Sequence, residues 1–481
     1  MARTQEHDGR RAEVRRRALE LLLETETSGS FIDELFATHL RQLDAGPGDE
    51  GNRLGPRDRR LLQEIVYGSM RHQNTLDHLL RKHLRVPMVE QRAAERWALR
   101  LAAFQVVYLA RIPPHAALHQ TLEGLKALPG VRKKTVGFVN AVVRNLLQSI
   151  RTKTDSPPAD PDDPSVLPVR QGFCQFHQPV LPPRGNAPEE QLALRYSYPP
   201  WLLKRWLGRY GPEEVRSLCE RQNQTPQFTA RVTQRAPSRE EVLETLTAEG
   251  FEVSLGSFES AIVFQRGGAL EASETFRRGW FQVQDETAMR IGSALAPPSG
   301  ASVLDLCSGP GGKTSQLLEA IGPGGRLLAT DRGERKLERV RETVQRTCGP
   351  QALEQMRTRL LPEAPRQVDL GETFSHVLVD APCSNTGVLT RRPEARWRLR
   401  PRDLRNLSEL QAELLEVGLR HLAPGGRILY STCSIEPDEN EEVIARVVEA
   451  HPEMTELATR LFLPHRSDGD GGYFSLLLKP R

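Results

Sequence analysis

From residue 300 onward, short apolar segments alternate with long amphipathic ones, and this alternation constrains the fold more than any other feature of the sequence. The apolar segments are SVLDL, RLLATD, HVLVD and GRILYSTC. The segments between them repeat apolar residues at spacings of three and four, as amphipathic helices do. The alternation predicts a parallel, doubly wound, Rossmann-like α/β domain over residues 291–481. Such sheets bind ligands in the crevice beyond the carboxyl ends of their strands.

A glycine-rich loop follows the first of these strands, in VLDLCSGPGGKT. Its residues are Cys307, Ser308, Gly309, Pro310, Gly311, Gly312 and Lys313. Glycines let the backbone approach a ligand closely, and the helix that follows offers free N–H groups. The loop fits neither the GxGxxG fingerprint nor the Walker loop, which disfavours NAD and ATP. Asp331 ends the next strand and can accept both ribose hydroxyls, so the pattern favours S-adenosyl-L-methionine as the cofactor.

Two cysteines lie where predicted strands end, namely Cys383 in HVLVDAPCS and Cys433 in GRILYSTCS. Thiols beside a ligand loop suggest covalent group transfer rather than binding alone. Carbon 5 of cytosine becomes nucleophilic when a thiolate adds to carbon 6, and an acidic group can hold the N3/N4 edge of the base. Cys433, Cys383 and Asp380 supply these groups. Lys313 or nearby arginines would help a thiol to ionise, whereas Cys307 is expected to pack under the cofactor loop.

The rest of the chain divides into three predicted parts. Residues 1–151 form an all-α domain, and positions 1–150 carry 24 lysines and arginines against 17 acidic residues. Residues 152–190 are rich in Pro, Asp and Ser, which predicts a linker that buries no core. Residues 191–290 show a β-α-β-β order, which predicts a small RNA-recognition-like α/β domain. The segment 391–405 has seven arginines and two acidic residues. We expect its Arg391, Arg392 and Arg396 to contact a phosphate backbone.

Composition narrows the class of protein further. The sequence has no CxxC or HExxH pattern, so no metal site is expected. Its six cysteines lack paired spacing, which favours a reducing, cytoplasmic environment over a disulfide framework. No apolar stretch approaches the ~20 residues of a membrane helix. The charged start of the sequence also has no apolar signal-peptide core, so we expect a cytoplasmic protein without membrane partners. We also expect the protein to be a monomer.

Three blocks of the sequence resemble the signature blocks of the RNA cytosine-C5 methyltransferases. They are VLDLCSGPGGKT, VLVDAPCSNTGVL and YSTCSIEPDENEEVI. In addition, RDRRLLQEIVYGSMRHQNTLDHLL and GFVNAVVRNLL resemble a NusB-like antitermination-factor domain. That domain is fused to the Sun/Fmu-type branch, the bacterial small-subunit rRNA methyltransferase B group. The resemblance covers nearly the whole chain outside 152–190, and it implies methylation of cytosine C5 in 16S rRNA with S-adenosyl-L-methionine.

The resemblance also implies roles for single residues. Cys433 matches the nucleophile of the family, and Cys383 matches the cysteine that assists product release. Asp380 matches the aspartate before Ala-Pro-Cys. The loop 307–313 and Asp331 match the cofactor-binding residues, and Asp380 belongs to the cofactor site as well.

The sequence departs from the family pattern at three places. Glu363 stands at the position of an aspartate that contacts adenine, Thr233 replaces the usual Asn, and Asn385 replaces the usual Gly. Two alternatives stay open at this point: the same chemistry on tRNA or another RNA, and a non-catalytic RNA-binding or antitermination factor.

Overall fold

The computed structural model describes residues 2–45, 54–183, 185, 187–266, 270 and 273–481. The chain divides into two compact units. The first comprises residues 1–224 with 391–398, and the second comprises residues 225–390 with 399–481. Within the described ranges, no helix combines the length and the apolar character needed to cross a membrane.

The first unit is built around one nearly fully buried helix. Its helices are α1 (Ala2–Ser28), α2 (Ile32–Ala45), α3 (Pro56–Arg71), α4 (Gln73–Arg81), α5 (Ala93–Tyr108), α6 (Pro114–Lys126), α7 (Lys133–Ser149), α8 (Pro188–Tyr196), α9 (Pro200–Tyr210) and α10 (Pro212–Asn223), with a 3-10 turn at Met88–Glu90. Helix α5 is buried from Trp97 to Tyr108, and α1, α3, α6 and α7 pack around it. A Cβ on Gly124 of α6 would lie 2.7 Å from the backbone nitrogen of Arg16, so the close packing of α1 on α6 requires glycine there.

A small sheet follows α7 in the region that the sequence predicts to be a linker. Strands β1 (Ile150–Thr154), β2 (Val166–Pro168) and β3 (Phe173–Phe176) pair antiparallel in the order β1-β3-β2. Leu167, Cys174 and Phe176 are buried in the same core as α5. The prediction that 152–190 buries no core was therefore wrong, because two short strands carry enough apolar side chains to close one side of the helical unit.

Helices α8 to α10 belong to the first unit, whereas the sequence analysis groups them with the small domain at 191–290. The side-chain amide of Asn74 on α4 donates to the carbonyls of Ala193 (3.1 Å) and Tyr198 (3.2 Å). The buried Tyr198 donates its hydroxyl to Gln222 at 2.9 Å. These contacts hold α8 and Tyr198 to α4 and link Tyr198 to α10, and the sheet of the small domain begins only at residue 228.

The second unit starts with a small antiparallel sheet. Strands β4 (Phe228–Val232), β5 (Glu252–Leu255), β6 (Ala261–Arg266) and β7 (Phe281–Val283) lie in the order β5-β6-β4-β7, with α11 (Arg239–Ala248) and α12 (Glu274–Arg277). Val242 and Leu246 of α11 share its core with Ile262 and Phe264. The predicted β-α-β-β order is confirmed, and β7 is an additional strand.

The large sheet of the second unit is mixed rather than purely parallel. Its strands are β8 (Ser302–Asp305), β9 (Arg326–Asp331), β10 (Met356–Leu360), β11 (Phe374–Asp380), β12 (Leu422–Thr432), β13 (Thr455–Phe462) and β14 (Gly472–Leu478). The helices after α12 are α13 (Glu286–Ala294), α14 (Gly312–Ile321), α15 (Glu334–Cys348), α16 (Gln351–Gln355), α17 (Ala395–Arg398), α18 (Pro401–Arg420) and α19 (Glu441–Ala450), with 3-10 turns at Pro365–Gln367 and Pro437–Glu439. The strand order is β10-β9-β8-β11-β12-β14-β13, parallel as far as β12 and antiparallel beyond it.

This order explains where a ligand site can form. The chain runs from β8 outward to β10 and then returns to the other side of β8 with β11, which makes a topological switch point between β8 and β11. Both faces of the sheet are covered, since Val377 and Val379 of β11 join one apolar core and Leu378 joins another. The doubly wound prediction is confirmed, whereas the antiparallel β13–β14 pair was not predicted.

Arg231 ties the small sheet to the helix that begins at the glycine-rich loop. Its guanidinium pairs with Glu319 of α14 and donates to Ser315 of the same helix at 3.0 Å. Arg231 is only 3% exposed, so this ion pair is largely shielded from water. Because the loop 307–313 leads directly into α14, the small domain helps to fix the orientation of the loop.

The arginine-rich segment 391–398 belongs to the first unit. Arg396 is fully buried, and its guanidinium stacks 4.0 Å from the centre of the Tyr198 ring. Arg398 donates to the carbonyls of Thr25 and Ser30, both at 2.8 Å. Both side chains are held by backbone carbonyls, and that of Arg396 is not presented to solvent. The prediction that Arg396 contacts RNA phosphates was therefore wrong.

Candidate active site

The glycine-rich loop lies directly beside Asp331, the last residue of β9. The Gly309 N–H donates to Asp331 Oδ2 at 3.1 Å, and a Cβ on Gly309 would lie 2.9 Å from the same oxygen. Asp331 Oδ1 accepts from the Gly333 N–H at 3.0 Å and lies 3.5 Å from Lys336 Nζ. Glycine at 309 is therefore needed for the close approach of the loop to the carboxylate, and Asp331 has a fixed orientation.

The remaining loop residues form the turn that begins α14. Ser308 donates its backbone N–H and its hydroxyl to the Thr330 carbonyl, at 2.9 and 3.0 Å. The peptide bond between Gly309 and Pro310 is cis, and Gly311 has a φ of 100° and caps α14, which starts at Gly312. Burial raises the pKa of the Cys307 thiol well above its usual value.

Asp305, at the end of β8, has one carboxylate oxygen that no described residue engages. Thr314 donates to its Oδ2 at 2.7 Å, while its buried Oδ1 has no hydrogen-bond partner among the described residues. Burial raises the pKa of Asp305 to about 7, although the Thr314 hydrogen bond opposes the shift. An unpaired buried carboxylate oxygen next to a glycine-rich loop suits a ligand that brings a hydrogen-bond donor or a positive charge.

Lys313 and Asp380 form an ion pair at the switch point between β8 and β11. Lys313 Nζ lies 2.7 Å from Asp380 Oδ2, and the Ser431 hydroxyl donates to Asp380 Oδ1 at 2.8 Å. Burial lowers the pKa of Lys313, but the adjacent Asp380 outweighs this effect, so the pKa lies above its usual value. The amine is therefore a fixed positive charge at neutral pH.

The parallel pairing of β11 with β12 brings the two predicted cysteines together. Asp380 is paired with Ser431 in this register, and the loops that follow place Cys383 Sγ 3.1 Å from Cys433 Sγ. Both thiols are free and partly exposed. The hydrogen bond to Cys433, followed by burial, raises the pKa of Cys383 well above its usual value. Cys383 is therefore a protonated thiol at neutral pH, and its S–H can donate to Cys433.

Glu363 is the one predicted site residue that the structure does not bring into contact with the others. It is exposed, three residues beyond the end of β10. Its side chain forms no hydrogen bond or ion pair with any of the described residues. Leu360, at the end of β10, is paired with Asp331 of β9, so Glu363 lies at the same edge of the sheet as Asp331.

The sequence analysis missed Glu439, which joins the loops that carry the two cysteines. This fully buried carboxylate accepts from the Ser384 N–H (2.8 Å) and hydroxyl, from the Ser434 hydroxyl (2.5 Å) and from the Gln411 amide (3.0 Å). Ser384 and Ser434 are the residues directly after Cys383 and Cys433. Burial raises the pKa of Glu439 in spite of these donors. Its place in YSTCSIEPDENEEVI, six residues after Cys433, was the only sequence signal.

Gly387 makes a second link between the same loops. Its N–H donates to the Cys433 carbonyl at 3.0 Å, and a Cβ there would lie 2.7 Å from that oxygen. Thr386 Oγ1 accepts from the Ile435 N–H at 3.0 Å. The distance between the thiols is thus set by a network of backbone and side-chain hydrogen bonds around them.

Replacing Glu439 with Gln is expected to lower the free energy of unfolding of the second unit by about 1–3 kcal/mol, because an amide NH₂ would then face donors that need an acceptor. Urea unfolding followed by circular dichroism measures the change. The matched control is Glu442→Gln, at an exposed position of α19. Equal unfolding curves for the two variants would contradict the linking role of Glu439.

The fold and the site together define the class of protein. A doubly wound domain with a glycine-rich loop at its switch point, an acidic residue at the end of the second strand and two adjacent thiols is a methyltransferase domain with two cysteines in its candidate site.

Comparisons with known proteins agree with this class. Residues 292–477 match the family described as 16S rRNA methyltransferase RsmB/F, residues 12–148 match the NusB family, and residues 198–271 match the RsmF/B-like ferredoxin-like domain. The chain is 33% identical over 435 residues to the ribosomal RNA small subunit methyltransferase B of Escherichia coli O6:K15:H31. The aligned region covers 89% of this chain and 92% of the relative.

Two solved structures share the fold. The crystal structure of PH0851 has a TM-score of 0.76 at 24% identity and covers 97% of this chain and 99% of its own. A methyltransferase homolog from Pyrococcus horikoshii has a TM-score of 0.53 at 23% identity, covering 61% of this chain and 100% of its own. The chain belongs to the 16S rRNA methyltransferase RsmB/F family, with an N-terminal NusB domain and a ferredoxin-like domain before the methyltransferase domain.

Proposed function

We propose that this RNA methyltransferase transfers the methyl group of S-adenosyl-L-methionine to carbon 5 of a cytosine in 16S rRNA, through a covalent cysteine–C6 adduct. The observation that carries the proposal is the pair of thiols, Cys383 and Cys433, 3.1 Å apart beside Asp380. A methyltransferase that acts on an oxygen or an exocyclic nitrogen needs no thiol, because those atoms are already nucleophilic. Two adjacent thiols are useful where a carbon atom must first be activated.

In the proposed reaction the Cys433 thiol loses its proton and its sulfur bonds to C6 of the cytosine. Asp380 binds the N3/N4 edge of the base while the C5–C6 double bond opens and C5 becomes nucleophilic. C5 then takes the methyl group. Solvent takes the C5 proton, the C6–sulfur bond breaks with its electron pair returning to the Cys433 sulfur, and the protonated Cys383, which can donate to that sulfur, assists the release. The net products are 5-methylcytosine, S-adenosylhomocysteine and one proton.

The residues around the glycine-rich loop fit the proposed cofactor. When bound, S-adenosyl-L-methionine supplies an electrophilic methyl group on a sulfonium. The unpaired Asp305 Oδ1 suits its ammonium group, and Asp331, at the end of β9, suits its ribose hydroxyls. The loop from Cys307 to Lys313 provides the close backbone approach, and Glu363 is the candidate for the adenine. Asp380 serves both the cofactor pocket and the base.

Three further features support RNA as the substrate. The family match names 16S rRNA, the NusB domain carries the basic excess of the chain, and a ferredoxin-like domain precedes the methyltransferase domain. The target base has to leave its stack, because C6 cannot be reached within a helix. Catalysis is proposed to proceed in a monomer and without a metal ion.

A covalent-trapping assay tests the proposal. Cys383→Ala is expected to accumulate a denaturation-stable protein–RNA adduct with S-adenosyl-L-methionine and unmodified 16S rRNA, since addition by Cys433 proceeds while release is slowed. Gel mobility after denaturation detects the adduct, and sequencing of the trapped RNA locates the cytosine.

Two controls make the result specific. Cys383→Ala/Cys433→Ala should give no adduct, and Cys348→Ala, which removes a thiol outside the site, should not accumulate one. An adduct only with tRNA would support the same chemistry on another RNA. No adduct with any RNA, while the cofactor binds, would favour a non-catalytic RNA-binding role.

A further inference from the structure

Asn385 has an unusual backbone conformation beside the two thiols. Its φ is 62°, in the left-handed region that favours glycine. Asparagine tolerates this region better than most other residues. The conformation places the side-chain amide next to the cysteines, where a glycine would offer no polar group.

Both ends of the Asn385 amide are engaged by the cysteine residues. The Nδ2 atom donates to the Cys383 carbonyl at 2.9 Å, and the Oδ1 atom accepts from the Cys433 thiol at 3.3 Å. Because the Cys433 S–H points to Asn385, the sulfur of Cys433 is left to accept from the Cys383 S–H at 3.1 Å. The three groups form a chain of donors that runs from Cys383 through Cys433 to Asn385.

We propose that Asn385 is a positioning residue that holds the Cys433 thiol in one orientation through a hydrogen bond that a substrate must displace. Its importance for methyl transfer rests on the function proposed above, whereas its effect on the thiol does not. A thiolate cannot donate to Oδ1, so this hydrogen bond is lost when the thiol ionises. The nucleophile is thereby kept in one orientation and protected from side reactions.

Among the described residues, the titratable groups placed around Cys433 include Cys383, Lys313, Asp380 and Glu439. Cys383 faces it from the loop after β11, and the ion pair of Lys313 with Asp380 lies at the start of α14 and the end of β11. Glu439, on the 3-10 turn after Cys433, is shielded by its own four donors. These four side chains keep their chemical identity in a variant of Asn385, so a difference in the alkylation profile of Cys433 is assigned to the side chain at position 385.

The test is the pH dependence of Cys433 alkylation in the full chain, without RNA or cofactor. Iodoacetamide reacts with the thiolate, and mass spectrometry of the Cys433 peptide separates this site from the other cysteines. Asn385→Asp should move the midpoint of the profile up by roughly one to two pH units, since a carboxylate beside the sulfur opposes its ionisation. Asn385→Gly, which keeps the left-handed backbone, should move it down by about half a unit.

A control variant separates the local effect from the addition of a negative charge elsewhere. Asn406→Asp, at an exposed position of α18, should leave the profile unchanged. Circular dichroism at each pH establishes that the variants are folded. An Asn385→Asp profile that coincides with that of the wild type would overturn the proposal. So would an unchanged Asn385→Gly profile together with a shifted Asn385→Ala profile, because strain alone would then explain the effect.

The outcome also separates this inference from the proposed function. A shifted profile in a protein that methylates no cytosine would support the role of Asn385 and contradict the proposed function. An unshifted profile in a protein that methylates 16S rRNA would contradict the role of Asn385 and support the proposed function.

Discussion

Replacing Cys433 with Ala is expected to reduce methyl transfer to RNA by at least about ten-thousand-fold, because the proposed reaction has no other group that can add to C6. Cys383 cannot take over readily. Its pKa is raised well above the usual value by Cys433 and by burial, so that very little of it is thiolate at neutral pH. Single-turnover transfer of a labelled methyl group to unmodified 16S rRNA measures the loss.

The control for this prediction is Cys348→Ala, which changes a thiol that bonds to the Ser315 carbonyl and lies outside the site. Its activity should stay within about threefold of the wild type. Calorimetry should show that Cys433→Ala still binds the cofactor, because Cys433 follows β12 and is not part of the glycine-rich loop 307–313. Full activity of Cys433→Ala would exclude it as the nucleophile and would leave the covalent scheme without support.

Arg396→Met is expected to lower the free energy of unfolding of the first unit by about 3–5 kcal/mol. The loss of a buried charged group that makes several hydrogen bonds typically has an effect of this size. The guanidinium donates to Asn223 Oδ1 at 2.8 Å, to the Gln222 carbonyl at 3.0 Å and to the Ser197 carbonyl at 3.2 Å. Methionine has a similar length but no donor, so these buried acceptors would lose their partner. Burial also lowers the pKa of Arg396, but an arginine stays charged at neutral pH.

Tryptophan fluorescence during urea unfolding measures this change well. Four of the five tryptophans, at positions 97, 201, 206 and 397, lie in the first unit. Arg405→Met, at an exposed position of α18, is the matched control and should cost less than about 0.5 kcal/mol. If Arg396→Met unfolds at the same urea concentration as the control, the buried hydrogen bonds contribute little and the segment 391–398 is not anchored by this residue.

The sequence predicted that Arg396 contacts RNA, whereas the structure shows it buried, because the burial of a side chain cannot be inferred from a run of charged residues. Seven arginines in fifteen residues suggested an exposed basic surface at 391–405. In the fold, Arg396 and Arg398 instead satisfy carbonyl groups near helix ends of the first unit. Those carbonyls come from residues far away in the sequence, so no local pattern could reveal them. In contrast, the basic excess over positions 1–150 is a sum over the surface of a whole domain and stays a basis for RNA binding.

The candidate site was predictable as far as its residues depend on strand ends. Parallel strands in one sheet bring their carboxyl ends to the same edge, so the alternation after residue 300 implied that Asp331, Asp380, Cys383 and Cys433 would lie near one another. The loop 307–313 followed from its glycines for the same local reason. The two thiols were expected at neighbouring strand ends because of the order of the strands. The parallel pairing of Asp380 in β11 with Ser431 in β12 accounts for their short distance.

The sequence by itself determined the helical N-terminal domain, the doubly wound sheet and the set of chemical groups at its edge, because these follow from periodicity and from neighbours along the chain. Only the tertiary structure decided that Glu439 joins the two cysteine loops, that Asn385 holds the Cys433 thiol, that Arg396 is buried and that 150–176 forms a sheet. Each of these depends on hydrogen bonds or packing between residues that are distant in sequence or lie on separate loops. Such contacts are selected by the whole fold, since a buried polar group is stable only where its partners happen to converge.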